Sequence, residues 1–200
     1  MTSEQYKFLS KSYFKFFIFL LLSIAASSCS NIISATRDTP INENYGKRTA
    51  GAAIDDQWIE TKSKVNLKKI DPRFKKSQIS VKSFNGVVLI TGNVPQNDLR
   101  DIAKNTIQKI RKVRIVHNHL NVSPPRASTA RFSDMILKRK VKLRYLLEKN
   151  VPQGRVEVVV NDGVIFLMGL VTKSEAKEIV KETEKSYGLQ KIVKVFELIN

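Results

Sequence analysis

Ile79-Ser80-Val81-Lys82-Ser83-Phe84-Asn85-Gly86-Val87-Val88-Leu89-Ile90-Thr91-Gly92-Asn93-Val94 decides the fold, because the chain repeats its pattern in Val156-Glu157-Val158-Val159-Val160-Asn161-Asp162-Gly163-Val164-Ile165-Phe166-Leu167-Met168-Gly169-Leu170-Val171. Gly86 and Gly163 stand 77 residues apart, as do Gly92 and Gly169. Each copy is two β-rich runs joined at Asn-Gly or Asp-Gly, dipeptides that supply the positive φ angles a two-residue hairpin turn requires. Each repeat therefore contains a β-hairpin.

A helical pattern follows each hairpin. Leu99, Ile102, Ala103, Thr106, Ile107 and Ile110 share one face in the first repeat, and Ala176, Ile179, Val180 and Thr183 in the second. Thr172 and Glu175 are spaced as a capping box, and Gly188 is placed to stop the second helix. A last β-rich run closes each unit, 113–122 and 189–199, with Val113 and Val116 matching Leu189 and Ile192 at a spacing of 76. One further helix precedes each hairpin, with Asp55-Asp56-Gln57-Trp58-Ile59 and Ser133-Asp134-Met135-Ile136-Leu137 read as its opening turns. The expected unit is αββαβ, a small α+β domain with two helices on a three-stranded sheet. The join Pro124-Pro125-Arg126-Ala127-Ser128-Thr129-Ala130 is short and stiff, so the units are expected to pack together.

The N-terminus has a different character. Lys7, Lys11 and Lys15 precede the apolar run Phe16–Ile24, and Ala25-Ala26-Ser27-Ser28 lead into Cys29, the only cysteine. A charged start, a short apolar centre and a small-residue exit are the parts of a secretory signal peptide, and the apolar run is too short to span a bilayer. Cys29 after small residues resembles the bacterial lipoprotein box, in which the cysteine is acylated. Ala26 stands three residues before it, where an aliphatic residue is usual, and ordinary signal-peptidase cleavage after Ser27 or Ser28 is the alternative. With Ser30 following, the resemblance implies the outer rather than the inner membrane.

Lysine and arginine number 35 against 18 acidic residues, a net charge of +17. Such an excess calls for an anionic partner or surface. An exported chain meets phospholipid headgroups and envelope polymers, so no nucleic-acid partner is expected. One cysteine allows no intramolecular disulfide, and the fold must rest on packed cores.

The phrases Asn85–Val94 and Asp162–Val171, in this order of elements, resemble the BON domain. Two such domains behind a lipoprotein signal resemble, more narrowly, the dual-BON-domain lipoproteins linked to division and outer-membrane stress in Gram-negative bacteria. The resemblance covers about Gly51 to Asn200. It implies two tandem BON domains, lipid anchoring at the periplasmic face of the outer membrane, binding of anionic phospholipid (phosphatidylglycerol or cardiolipin) through the second domain, and a part in envelope integrity. The expected layout is a signal peptide over 1–28, a lipidated N-terminus and flexible tether over 29–53, a first domain over 54–123, a linker over 124–130 and a second domain over 131–200.

The helix opening the second unit suggests where lipid would dock. At about 100° per residue, Leu137, Val141 and Tyr145 fall within one arc of about 80°, suited to packing on their own sheet. A second apolar arc holds Met135, Ile136, Leu143, Leu146 and Leu147, with Phe132 if the helix starts early. Lys138 and Lys142 edge it on one flank and Lys140 and Arg144 on the other, with Arg139 inside. An apolar strip edged by cations suits the boundary between headgroups and acyl chains. The same strip would equally serve as a contact with the first domain or with an outer-membrane assembly protein. The anionic phospholipid site is accordingly expected at Met135, Ile136, Lys138, Arg139, Lys140, Lys142, Leu143, Arg144 and Leu147. In the first unit Trp58 occupies the position of Ile136 and is read as a core or interdomain anchor.

His117 and His119 alternate along a strand and share a side, but no third ligand of matching spacing stands nearby, so no metal or other cofactor is expected. No histidine or cysteine completes a nucleophile pair, and phosphate-loop and dinucleotide glycine patterns are missing. The chain is not expected to be an enzyme.

Overall fold

The computed structural model describes residues 46–199. The expected signal peptide, Cys29 and most of the expected tether lie outside them. The elements run α1 (Ala50–Ile70), β1 (Gln78–Phe84), β2 (Val87–Val94), α2 (Asp98–Gln108), β3 (Ile115–Val122), then α3 (Ser128–Leu147), β4 (Val156–Asn161), β5 (Val164–Val171), α4 (Lys173–Glu184) and β6 (Lys191–Leu198). This is the αββαβ order twice. In each sheet the central strand pairs antiparallel with its hairpin partner and parallel with the last strand, giving β1-β2-β3 and β4-β5-β6.

The hairpin turns form as their residues dictate. Asn85 and Gly86 take φ of 52° and 76°, Asp162 and Gly163 of 56° and 70°. Gly92 has φ 120°, and a Cβ there would lie 1.9 Å from the Gln78 carbonyl oxygen. The capping box of α4 is present, with Glu175 N–H donating to Thr172 and Thr172 N–H to the Glu175 carboxylate at 2.8 Å. The α4 helix stops at Glu184, before Gly188, which takes φ 92° in the turn leading to β6.

The first helix of each domain starts earlier than its acidic residues suggested. Thr49 caps α1 through the N–H of Ala52, so residues 50–53 are helix rather than tether, and α3 begins at Ser128, inside the expected linker. Asp56 and Asp134, read as opening residues, are each seventh in their helix and buried. Their carboxylates instead accept N–H groups across the domain from the hairpin turns: Asp56 from Asn85 and Gly86, Asp134 from Asp162 and Gly163, at 2.8–2.9 Å.

Three cores are formed by the described residues. Ile59 and Leu67 of α1 meet Val88, Ile90, Leu99, Ile107 and Leu120 in the first; Leu137, Val141 and Tyr145 of α3 meet Val158, Ile165, Leu167 and Ile179 in the second. The third joins the domains, with Phe84, Val87 and Leu89 against Val159, Phe166, Met168, Leu170 and Val195. Alternate residues of β2 and β5 thus face their own helices and the opposite domain. The sheets stack face to face with helices outside, and both central strands are buried on both sides. Glu197 fastens the rim, accepting from Arg114 and, at 3.3 Å, from Asn85. Gln78 exchanges two hydrogen bonds with the Arg126 backbone and fixes the linker.

Candidate functional site

Because the sheets provide the interdomain contact, the outer face of α3 is left without a protein partner among the described residues. Its inner face is fixed by Leu137, Val141 and Tyr145. The Tyr145 hydroxyl bonds Thr183, and burial pushes its pKa up to about 12. With that face held, the 3.6-residue period turns the other arc to solvent. Leu143, Leu146 and Leu147 are 59, 63 and 76% exposed, Phe132 and Met135 are exposed beside them, and Ile136 is half-buried. The early start of the helix brings Phe132 into this strip. The strip does not pack on the first domain, the alternative the sequence had left open.

The cations around the strip are not equivalent. Lys138 and Lys142 both reach Glu157 of β4, at 3.0 and 3.6 Å, and Arg144 donates to the carbonyl of Lys185. Arg139 and Lys140 are exposed and make no ion pair among the described residues. The nine expected site residues therefore share one helix, but only Arg139 and Lys140 project as unengaged charges beside the leucines.

Tyr187 was missed by the sequence reading. It is 92% exposed in the turn between α4 and β6, and lines, with Ile136, Lys140, Ser133 and Gly188, a cavity of about 380 Å³ against the first half of α3. An aromatic ring with a hydroxyl next to Gly188 in a turn was the available signal, since such a ring favours a surface apolar at one end and wet at the other. Asp162 also lines this cavity, so its electrostatics are mixed.

Trp58 is neither core nor interdomain anchor. It is 59% exposed on the outer face of α1 with Ile54 and Val65, beside Lys62, Arg111 and Lys112 around a cavity of about 350 Å³. The α1 and α3 layers lie on opposite outsides of the sheet stack, so a flat surface meets one of these strips at a time. His117 and His119 point into the interdomain side of β3, where His119 lies 4.9 Å from the Phe166 ring. Burial lowers the pKa of both, and for His119 His117, Lys191 and Arg100 lower it further. Among the described residues no three His, Cys, Asp or Glu side chains are grouped to hold a metal ion, and no helix is long and apolar enough to cross a membrane.

Comparison with known proteins agrees with this architecture. The BON domain family model matches twice, over residues 55–124 and 133–200. The chain is 32% identical to the outer membrane lipoprotein DolP of Haemophilus influenzae over 154 residues, 76% of this chain and 79% of that protein. It is 24% identical to the 21 kDa hemolysin of Actinobacillus pleuropneumoniae, over 76% of this chain and 78% of that protein. Two solved structures of CdsD, a structural protein of the type III secretion system of Chlamydia trachomatis, are distant: 15 and 14% identical, TM-scores 0.29 and 0.30, covering 72 and 80% of this chain and 63 and 89% of theirs.

Proposed function

The chain belongs to the BON domain family, and from that premise we propose that it is a non-enzymatic outer-membrane lipoprotein, anchored through Cys29 at the periplasmic face, whose second domain binds anionic phospholipid and so supports envelope integrity. The relationship to an outer membrane lipoprotein supports the anchoring. The observation that carries the lipid reading is the outer arc of α3: leucines left in water on a helix whose other face is fully packed, with Arg139 and Lys140 beside them. Moving a leucine side chain from full exposure to full burial gains about 1.5–3 kcal/mol, and each cation near an anionic bilayer about 1 kcal/mol. The two contributions are comparable, so binding should weaken with salt without vanishing.

Co-sedimentation with phosphatidylglycerol or cardiolipin vesicles, against neutral vesicles, tests this. Leu143→Glu with Leu147→Glu, both exposed and outside the cores, should abolish binding and leave the unfolding midpoint unchanged. Binding that survives the double substitution would refute the strip; a strip that instead captures an outer-membrane assembly protein would retain partner binding in the absence of vesicles.

A further inference from the structure

The two domains differ along the last strand. A cavity of about 610 Å³ lies between α4 and β6, floored by Ala176, Val180, Phe196 and Leu198. It continues into a second hollow of about 360 Å³ that shares Val180, Glu184 and Lys194 and runs on to Lys191. Together they follow β6 along its length. Ala103 and Ile179, and likewise Ile107 and Thr183, are fully buried pairs 76 residues apart, which fixes the correspondence of α2 and α4. Ala176 and Val180 then stand where the first domain has Arg100 and Lys104, and Phe196 where it has Leu120. The second domain has an apolar floor because short side chains replace two long cationic ones.

Beside this floor runs an unfinished sheet edge. β6 pairs only with β5, so its outer N–H and C=O groups have no strand partner among the described residues. Lys173, Lys177 and Lys181, one helical turn apart on α4, are exposed along one wall, and Lys194 is exposed on the strand. Lys181 bonds Glu178 at 3.3 Å, and among the described residues Glu184 is the one carboxylate in the lining.

We propose that this groove binds an extended acidic segment of a partner protein, which adds as a fourth strand beside β6. A lipid tail could fill the apolar hollow, but it offers nothing to the strand's unpaired backbone groups; an extended peptide satisfies them while every second side chain enters the hollow under α4. The lysines select acidic residues at its ends. Lys191 and Lys194 would by themselves suffice to keep the edge from pairing with another copy, but that role needs no apolar floor. The site is on the other helix of the second domain from the α3 strip, and does not depend on lipid binding there.

The probe is a capped, fluorescent peptide, Asp-Glu-Val-Thr-Val-Thr-Val-Glu-Asp, with a control in which lysine replaces every acidic residue. The full chain, purified in detergent, should bind the acidic peptide saturably and the control at least tenfold more weakly. Ala176→Arg, which restores the side chain of the first domain, should weaken binding at least tenfold, and so should Lys177→Glu with Lys194→Glu, a pair on the surface that keeps the fold intact. Amide exchange within 191–198 should slow when the acidic peptide binds. No saturable binding, equal binding of both peptides, binding indifferent to Ala176→Arg in a folded protein, or binding without slowed exchange in β6 would each overturn the proposal. Vesicle binding through α3 is read separately in the same variants.

Discussion

Arg126 lies in the linker, yet its guanidinium donates to the Asp134 carboxylate at 2.6 Å, eight residues ahead in the second domain, and also to Asn161 at 2.9 Å. Arg48 stands in the same relation to Asp56, again eight residues apart, at 2.8 Å. Each aspartate thus joins an arginine before its helix to a hairpin turn after it. Removing the Asp134 carboxylate would leave two turn amides without their acceptor and deprive a largely buried guanidinium of its close ion pair, with Asn161 still accepting from it. Asp134→Ala should cost on the order of 3 kcal/mol, read as a lowered urea midpoint, whereas Ser133→Ala on the exposed neighbouring position should change little.

Glu157 restrains two of the cations that edge the α3 strip. Glu157→Gln frees Lys138 and Lys142 for headgroups, and with each surface cation worth about 1 kcal/mol the affinity for anionic vesicles should rise about three- to tenfold, most at low salt. Unchanged affinity would mean these lysines do not face the bilayer.

The histidines make the domain interface acid-sensitive. Their pKa values are lowered from 6.5 in the folded chain, by burial first. The unfolded chain therefore takes up protons before the folded one does, so stability is full above about pH 6.5 and falls as the pH drops below it. Thermal unfolding followed from pH 7.5 to pH 5 should show this decline, and His117→Gln with His119→Gln should flatten it.

Lys112 has φ 72°, and Gly188 holds the corresponding turn of the second domain at φ 92°. A side chain in the left-handed region costs about 1 kcal/mol. The Lys112–Asp55 ion pair that the residue makes is exposed and worth little. Lys112→Gly should raise the melting temperature by a few degrees; a lower value would show that the ion pair outweighs the backbone strain.

The sequence by itself determined the repeat, both hairpins, the α4 capping box and the amphipathic period of α2, α3 and α4, because those features are set by side chains acting on backbone within a few residues of themselves. It also carries near-continuous apolar residues in β5, which suit a strand covered on both faces. The tertiary structure alone decided what lies on those faces. Asp56 and Asp134 look like helix openers because their partners are amides about 30 residues away. Trp58 looks like core, but the sheets rather than the helices make the interdomain contact and leave it outside. Lys138 and Lys142 look free until β4 brings Glu157 beside them. Local conformational preference is written in adjacent residues; which charges pair, which surfaces lose their water and which strand edge stays open depend on surfaces that meet only when the chain has folded.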